Sequence, residues 1–75
     1  MELKEFIQNF ADQFDDTDAE VFNAQTDYQS LDEWSSVMVL SVISFVRTQC
    51  GKRITASDLR SCKTIEELYN LVSTR

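Results

Sequence analysis

The sequence predicts an all-α fold: a four-helix bundle with a long first loop and a short third helix, in one domain spanning residues 1–75. Three observations carry this. Apolar residues recur at helical spacing in separate stretches. One glycine and no proline stand in 75 residues, which suits helices with polar connections and disfavours a sheet rich in tight turns. Hydrophobic content is 43%, enough for the chain to fold and, at this size, to build a small core most readily by helix packing.

The first helix is expected over residues 2–14. Leu3, Phe6, Ile7, Phe10 and Phe14 form its apolar stripe, and Glu2, Lys4, Glu5, Gln8 and Asp12 its polar side. Its acidic polar face argues for a core-facing helix over a membrane-binding one. Residues 15–35 follow as loop. Asp15-Asp16-Thr17-Asp18 breaks the helical pattern with residues that favour turns. These acids lack the central glycine and the twelfth-position glutamate of a calcium loop, so they read as a solvated acidic turn. Val21, Phe22, Tyr28, Leu31 and Trp34 are expected to pin this long connection across the bundle.

The second helix is expected over residues 36–50, with Val39, Val42, Ile43, Val46 and Cys50 on its buried face. Ser36, Leu40, Ser44 and Arg47 or Thr48 fall on an exposed face. Serines before such a run signal a helix start, and Gly51 suits the left-handed residue that ends one. A short third helix is expected over 55–61, with a capping box from Thr55 to Asp58, Ile54 as a staple and Leu59 inward. The last helix is expected over 65–73. It has a second capping box from Thr64 to Glu67 and an apolar face of Ile65, Leu68, Tyr69, Leu71 and Val72.

Net charge is −6, which disfavours nucleic acid and anionic membranes as partners. Residues 1–34 hold ten acids and one base, whereas residues 35–75 hold three acids and six bases, so the halves are expected to attract each other. There is no histidine, which excludes His-based metal sites and Ser-His or Cys-His catalysis within the chain. Cys50 and Cys62 are expected as free thiols, Cys50 buried. The start of the chain lacks the apolar core of a secretory signal, and the longest apolar run is too short to span a membrane. A cytoplasmic, monomeric protein without enzymatic activity is expected.

The stretch Asp32-Glu33-Trp34-Ser35-Ser36-Val37, with Leu40, Val42-Ile43, Val46 and the turn from Gly51 to Ile54, resembles the acyl carrier proteins. The likeness is to a branch with a Trp-Asp-Ser-Leu motif, and it runs from the first helix to Leu71-Val72. The resemblance implies that Ser36 carries 4′-phosphopantetheine and that acyl groups ride on this arm as thioesters, for fatty-acid or secondary-metabolite biosynthesis. It implies partner contacts through Trp34, Ser35, Val37, Leu40 and Ser44. Those partners are a phosphopantetheinyl transferase and acyl-transferring and chain-elongating enzymes. Leu40, Ile43, Ile54 and Leu59 are expected to border a groove for the acyl chain. Ser35 stands where the family has aspartate and Val37 where it has leucine. Residues 37–50 contain no carboxylate, whereas the family's second helix is acidic. These departures motivate an alternative: a carrier-fold protein that is never modified and acts as a protein-binding module.

Overall fold

A computed structural model describes all 75 residues. It contains four α-helices and no strand: α1 (Leu3–Ala11), α2 (Ser36–Phe45), α3 (Ala56–Ser61) and α4 (Ile65–Ser73). Single 3-10 turns at Ala19–Val21 and Tyr28–Ser30 punctuate the long first connection. No helix is long and apolar enough to cross a membrane. The all-α expectation therefore holds.

α1 stops at Ala11, three residues short of the expected end. Gln13 and Phe14 continue it only as turns, their amides bonding the carbonyls of Phe10 and Ala11. Phe14 is still buried, so the apolar stripe outlasts the helix. Phe10 is the centre of the core. Its ring meets Phe6, Phe14, Phe22, Tyr28 and Phe45 at centroid distances of 5.5–6.5 Å. The contact with Phe14 is stacked and the other four are tilted or edge-on, geometries that suit the ring quadrupole and add to the burial of large apolar area.

α2 buries Met38, Val42, Phe45 and Val46. This corrects the expected face, since Val39, Ile43 and Cys50 are only half-buried. Almost every residue from Val37 to Val46 is apolar, so helical spacing alone supports two stripes. Bulk decides between them. Phe45 reaches the α1 rings, 5.3 Å from Phe6 and 6.4 Å from Phe10. The face with Ser36, Leu40, Ser44, Arg47 and Thr48 is exposed, as expected.

α2 does not end as an α-helix. Val46–Cys50 widens into a π-helical turn, closed by Gly51 in the left-handed conformation at φ 66°. The Thr48 hydroxyl donates back to the carbonyls of Ser44 and Phe45. That competition for carbonyls accompanies a loosened last turn. The wider turn leaves Cys50 half-buried, while Cys62 is the fully buried thiol. The expected burial of Cys50 is thus corrected, although both cysteines are free.

α3 and α4 begin as expected. Thr55 and Asp58 form a complete capping box, and Leu59 and Ile54 are buried. At α4 the Thr64 hydroxyl accepts from the Glu67 amide, but the Glu67 carboxylate takes the Lys63 amide instead of closing a box on Thr64. The second capping box is therefore half-formed. Ile65, Leu68 and Val72 are buried, with Tyr69 and Leu71 packed at the margin.

The long connection is fixed by Tyr28. Its ring is fully buried, and its hydroxyl donates to the Leu59 carbonyl at 2.6 Å with the Cys62 carbonyl at 3.1 Å. Burial pushes the phenol well above its ordinary range, with the nearby Cys62 and Glu67 adding to the effect. Gln29 donates to the same two carbonyls through its side-chain amide. Between them the two residues satisfy the C-terminal carbonyls of α3, which a six-residue helix cannot satisfy internally. Further along, Thr26 and Ala24 carbonyls receive the amides of Ile65 and Glu66 at the start of α4. Phe22, Tyr28, Leu31 and Trp34 pack on the core as expected, but Val21 is 44% exposed and pins nothing.

Tyr28→Phe keeps the ring and removes the hydroxyl. Because Gln29 still covers both carbonyls, the variant should lose about 1 kcal/mol, read as a lower denaturant midpoint with unchanged slope. Tyr28→Ala, which empties the ring site, should cost about 3–5 kcal/mol by analogy with other aromatic truncations.

Candidate functional site

The stretch marked by the sequence lies where the long loop meets α2. Trp34 ends the loop. Its ring sits 5.1 Å from Tyr28 and 6.4 Å from Phe14, so one side is turned to the core and the residue is half-buried. Ser35 follows with extended backbone and acts as the N-cap, its hydroxyl accepting from the Met38 amide at 3.4 Å. The next turn is closed by the Val39 amide on the Ser35 carbonyl at 3.0 Å.

Ser36 is the first residue of α2 and is exposed. The two serines therefore divide their tasks. Ser35 caps the helix, and Ser36 presents a hydroxyl with no hydrogen-bond partner at the positive end of the helix dipole. A phosphate ester on Ser36 would sit beside the free amides of the first turn without uncapping it. No acid or base is hydrogen-bonded to the Ser36 hydroxyl.

Beyond Ser36 the exposed face of α2 carries Val37 at 69% exposure and Leu40 at 67%. Ser44 is exposed one turn further on. Of the residues expected to touch partners, Val37, Leu40, Ser44 and Ser35 are thus open, and Trp34 offers only part of its ring. The expected acyl groove is not present. Ile54 and Leu59 are packed inside the core, Ile43 is half-buried, and none of the surface clefts is lined by these residues or by Leu40. Packing of α3 on α2 closes that space.

The acidic loop reaches this site through Glu33, a role the sequence did not reveal. One carboxylate oxygen of Glu33 accepts from the Thr17 hydroxyl at 2.7 Å and the Asp16 amide at 3.1 Å. The other accepts from the Asp15 amide at 3.1 Å. Glu33 thus clips the start of the loop to its end, three residues before Ser36. The Thr17 hydroxyl first, then the two amides, hold its carboxyl below the ordinary value of 4.5. No salt bridge joins the acidic half of the chain to the basic half. The one salt bridge, Arg75 to Asp58 at 2.7 Å, lies wholly within the basic half.

The chain was compared with protein-family models, curated proteins and solved structures, and none of them matches it.

The Glu33 clip has a defined pH sense. Its folded-state pKa is depressed, so its contribution is complete above about pH 4.5 and is lost as pH falls through the lower folded value. The amides of Asp15 and Asp16 should exchange with solvent several-fold faster in Glu33→Gln than in the parent at pH 6. The parent should approach the variant on acidification, once rates are corrected for the intrinsic pH dependence of exchange. Ser35→Ala should lower stability by about 0.5 kcal/mol, the low end for a lost N-cap given the long 3.4 Å contact. Ser36→Ala should leave stability within about 0.5 kcal/mol, as for other exposed substitutions.

Proposed function

We propose that this protein is an acyl carrier, with Ser36 as the attachment point for 4′-phosphopantetheine. The observation that supports the reading most is the division between the serines. Ser35 holds the cap, leaving the Ser36 hydroxyl exposed and unbonded at the N-terminus of α2. Its Oγ would become the ester oxygen of a phosphodiester. The first-turn amides and the helix dipole would favour the added negative charge. Glu33, close by in sequence, is already occupied by the loop, and Asp32 is the exposed acid that would oppose it.

When bound, the arm supplies a terminal thiol that holds acyl groups as thioesters. The chain's own residues present the arm and provide no catalysis, so this is a carrier and not an enzyme. The all-α architecture, the long pinned first connection and the short third helix support the same reading. The partners would be a phosphopantetheinyl transferase and acyl-transferring or chain-elongating enzymes of fatty-acid or secondary-metabolite biosynthesis, and the setting cytoplasmic. They would meet Val37, Leu40, Ser44, Ser35 and the open edge of Trp34.

A second reading is favoured by one observation: Ser35 supplies no carboxylate beside Ser36. In that reading the protein is an unmodified binding module with the same exposed α2 face. Intact mass after incubation with coenzyme A and a broad-specificity phosphopantetheinyl transferase separates the two. The carrier reading expects one added phosphopantetheine, abolished by Ser36→Ala and retained in Ser35→Ala. No increment on the parent chain with several transferases would favour the binding module, and the reverse pattern of variants would move the site to Ser35.

Ser35→Asp should raise the initial rate of that modification at low salt. The resemblance implies that transferases read a carboxylate at this position. Asp caps as well as Ser, and its charge at the helix N-terminus adds about 0.3–1 kcal/mol if exposed. Repulsion from Asp32 would offset part of that stability gain but not the rate. An unchanged or slower rate would mean that the natural transferase is adapted to Ser35, or that modification is not this protein's function.

A further inference from the structure

Beside the buried rings of Phe6 and Phe10, α1 carries a second apolar stripe. Leu3, Ile7 and Ala11 recur at i, i+4 and i+8, and all three are only half-buried. With Ala19, Phe22 and Ala24 of the long connection they line two adjoining clefts of about 540 and 390 Å³. The clefts share Ile7, Gln8 and Phe22, so they form one groove open to solvent, and no residue of α2, α3 or α4 lines it. Its charge is uneven. Lys4, the sole base of residues 1–34, stands at one end, whereas Asp12 and Glu20 line the other end, one from each wall. All three are exposed and in no salt bridge. Asp12 is also the residue that ends α1, whose last turn holds no base. Its carboxylate adds to the negative end of the helix dipole instead of offsetting it.

We infer that this groove docks an amphipathic helix of a partner protein whose apolar side is followed, at one end, by lysines or arginines. Asp12, Glu20 and the C-terminus of α1 all favour a cation at the same end of the groove. The ten acids and one base of residues 1–34 draw a basic partner to this region and repel an acidic one. Lys4 sets the direction: the partner's bases lie over Asp12 and Glu20, and its apolar anchors over Ile7 and Leu3. From Leu3 to Ala11 the groove runs about 12 Å at 1.5 Å per residue, room for about two turns of a helix. Small molecules bind where most of their surface is enclosed, whereas an open apolar groove suits helix side chains spaced by one turn. A second copy of this chain supplies no such helix. Its amphipathic helices, α1 and α4, have no base in their last turns and carry Glu5, Glu66 and Glu67 in their first. The inference stands apart from the carrier reading, since no residue of the Ser36 site lines the groove.

The test titrates three synthetic peptides of about 18 residues, long enough to hold a helix, into the isotopically labelled full chain at physiological salt. Amide chemical shifts report where each one binds. The first peptide has a leucine side followed by a lysine-rich end. The second has the same leucines with glutamates for lysines, and the third the same lysines with serines for leucines. The first should shift residues 3–12 and 19–24, and bind there about fivefold more tightly than the second, the scale of two exposed charge pairs. The third should lose most of the binding. A spin label on the lysine end of the first peptide should broaden residues near Asp12 and Glu20 more than those near Lys4. Asp12→Asn combined with Glu20→Gln should remove the preference for the first peptide over the second. Both positions are exposed, and retained shift dispersion would verify the fold. Equal or tighter binding of the glutamate peptide would overturn the inference, as would a third peptide as tight as the first or a label that broadens the Lys4 end. So would shifts centred on residues 36–48, no shifts with any peptide, or concentration-dependent shifts of the protein alone.

Discussion

The placement of everything after α1 depends on Tyr28. A long connection between α1 and α2 cannot be held by helical hydrogen bonds, and its own 3-10 turns are single and short. Left unpinned, it would sacrifice too much conformational entropy to stay in one shape. Tyr28 solves this by joining two kinds of interaction in one side chain. Its ring completes the aromatic cluster around Phe10, and its hydroxyl closes the end of α3. The ring also backs Trp34, which fixes the residue immediately before the α2 cap. The position of Ser36 is thus set from the core outward, through Phe10, Tyr28, Trp34 and Ser35.

The helices were legible in the sequence because their boundaries are written in local chemistry. Thr55 with Asp58, Thr64 and Gly51 each act within three or four residues of themselves, and each behaves as its type predicts. The buried face of α2 was less legible, for a physical reason. A run in which Val, Met, Leu, Ile and Phe fill nearly every place carries no periodic signal, and side-chain volume against a partner helix makes the choice. Only the distant rings of Phe6 and Phe10 decide that Phe45 goes in and Leu40 stays out. The π turn was illegible for a related reason, since it is accompanied by carbonyl competition from Thr48 and follows no pattern of apolarity.

The candidate site divides along the same line. The exposed hydroxyl of Ser36 follows from its position beside a capping serine, which local reading can reach. The Glu33 clip spans sixteen to eighteen residues of sequence and could not be read from spacing. The acids of the loop read from sequence as a solvated turn. The structure gives one of its carboxylates a further role, as acceptor for backbone amides in the same loop. The acyl groove was implied by the resemblance alone, and two of its four residues, Leu59 and Ile54, are buried in the single core.

The segregation of charge has a consequence for how the site works. Opposite net charges on the two halves suggested mutual attraction, yet the only ion pair joins Arg75 and Asp58 within one half. The halves are joined by apolar and aromatic packing and by the hydrogen bonds of Tyr28, Gln29, Thr26 and Ala24 to α3 and α4, none of which is an ion pair. Exposed ion pairs would have contributed little to stability in any case. The charges stay at the surface, with acids on α1 and around the loop and Arg47 and Arg53 near the far end of α2. Ser36 lies between these two regions, at the point where the acidic loop gives way to a helix without carboxylates. Under the carrier proposal, a partner approaching this serine would meet an acidic loop on one side and a helix without carboxylates on the other. That asymmetry can orient an encounter even when the contact area is too small to hold it for long.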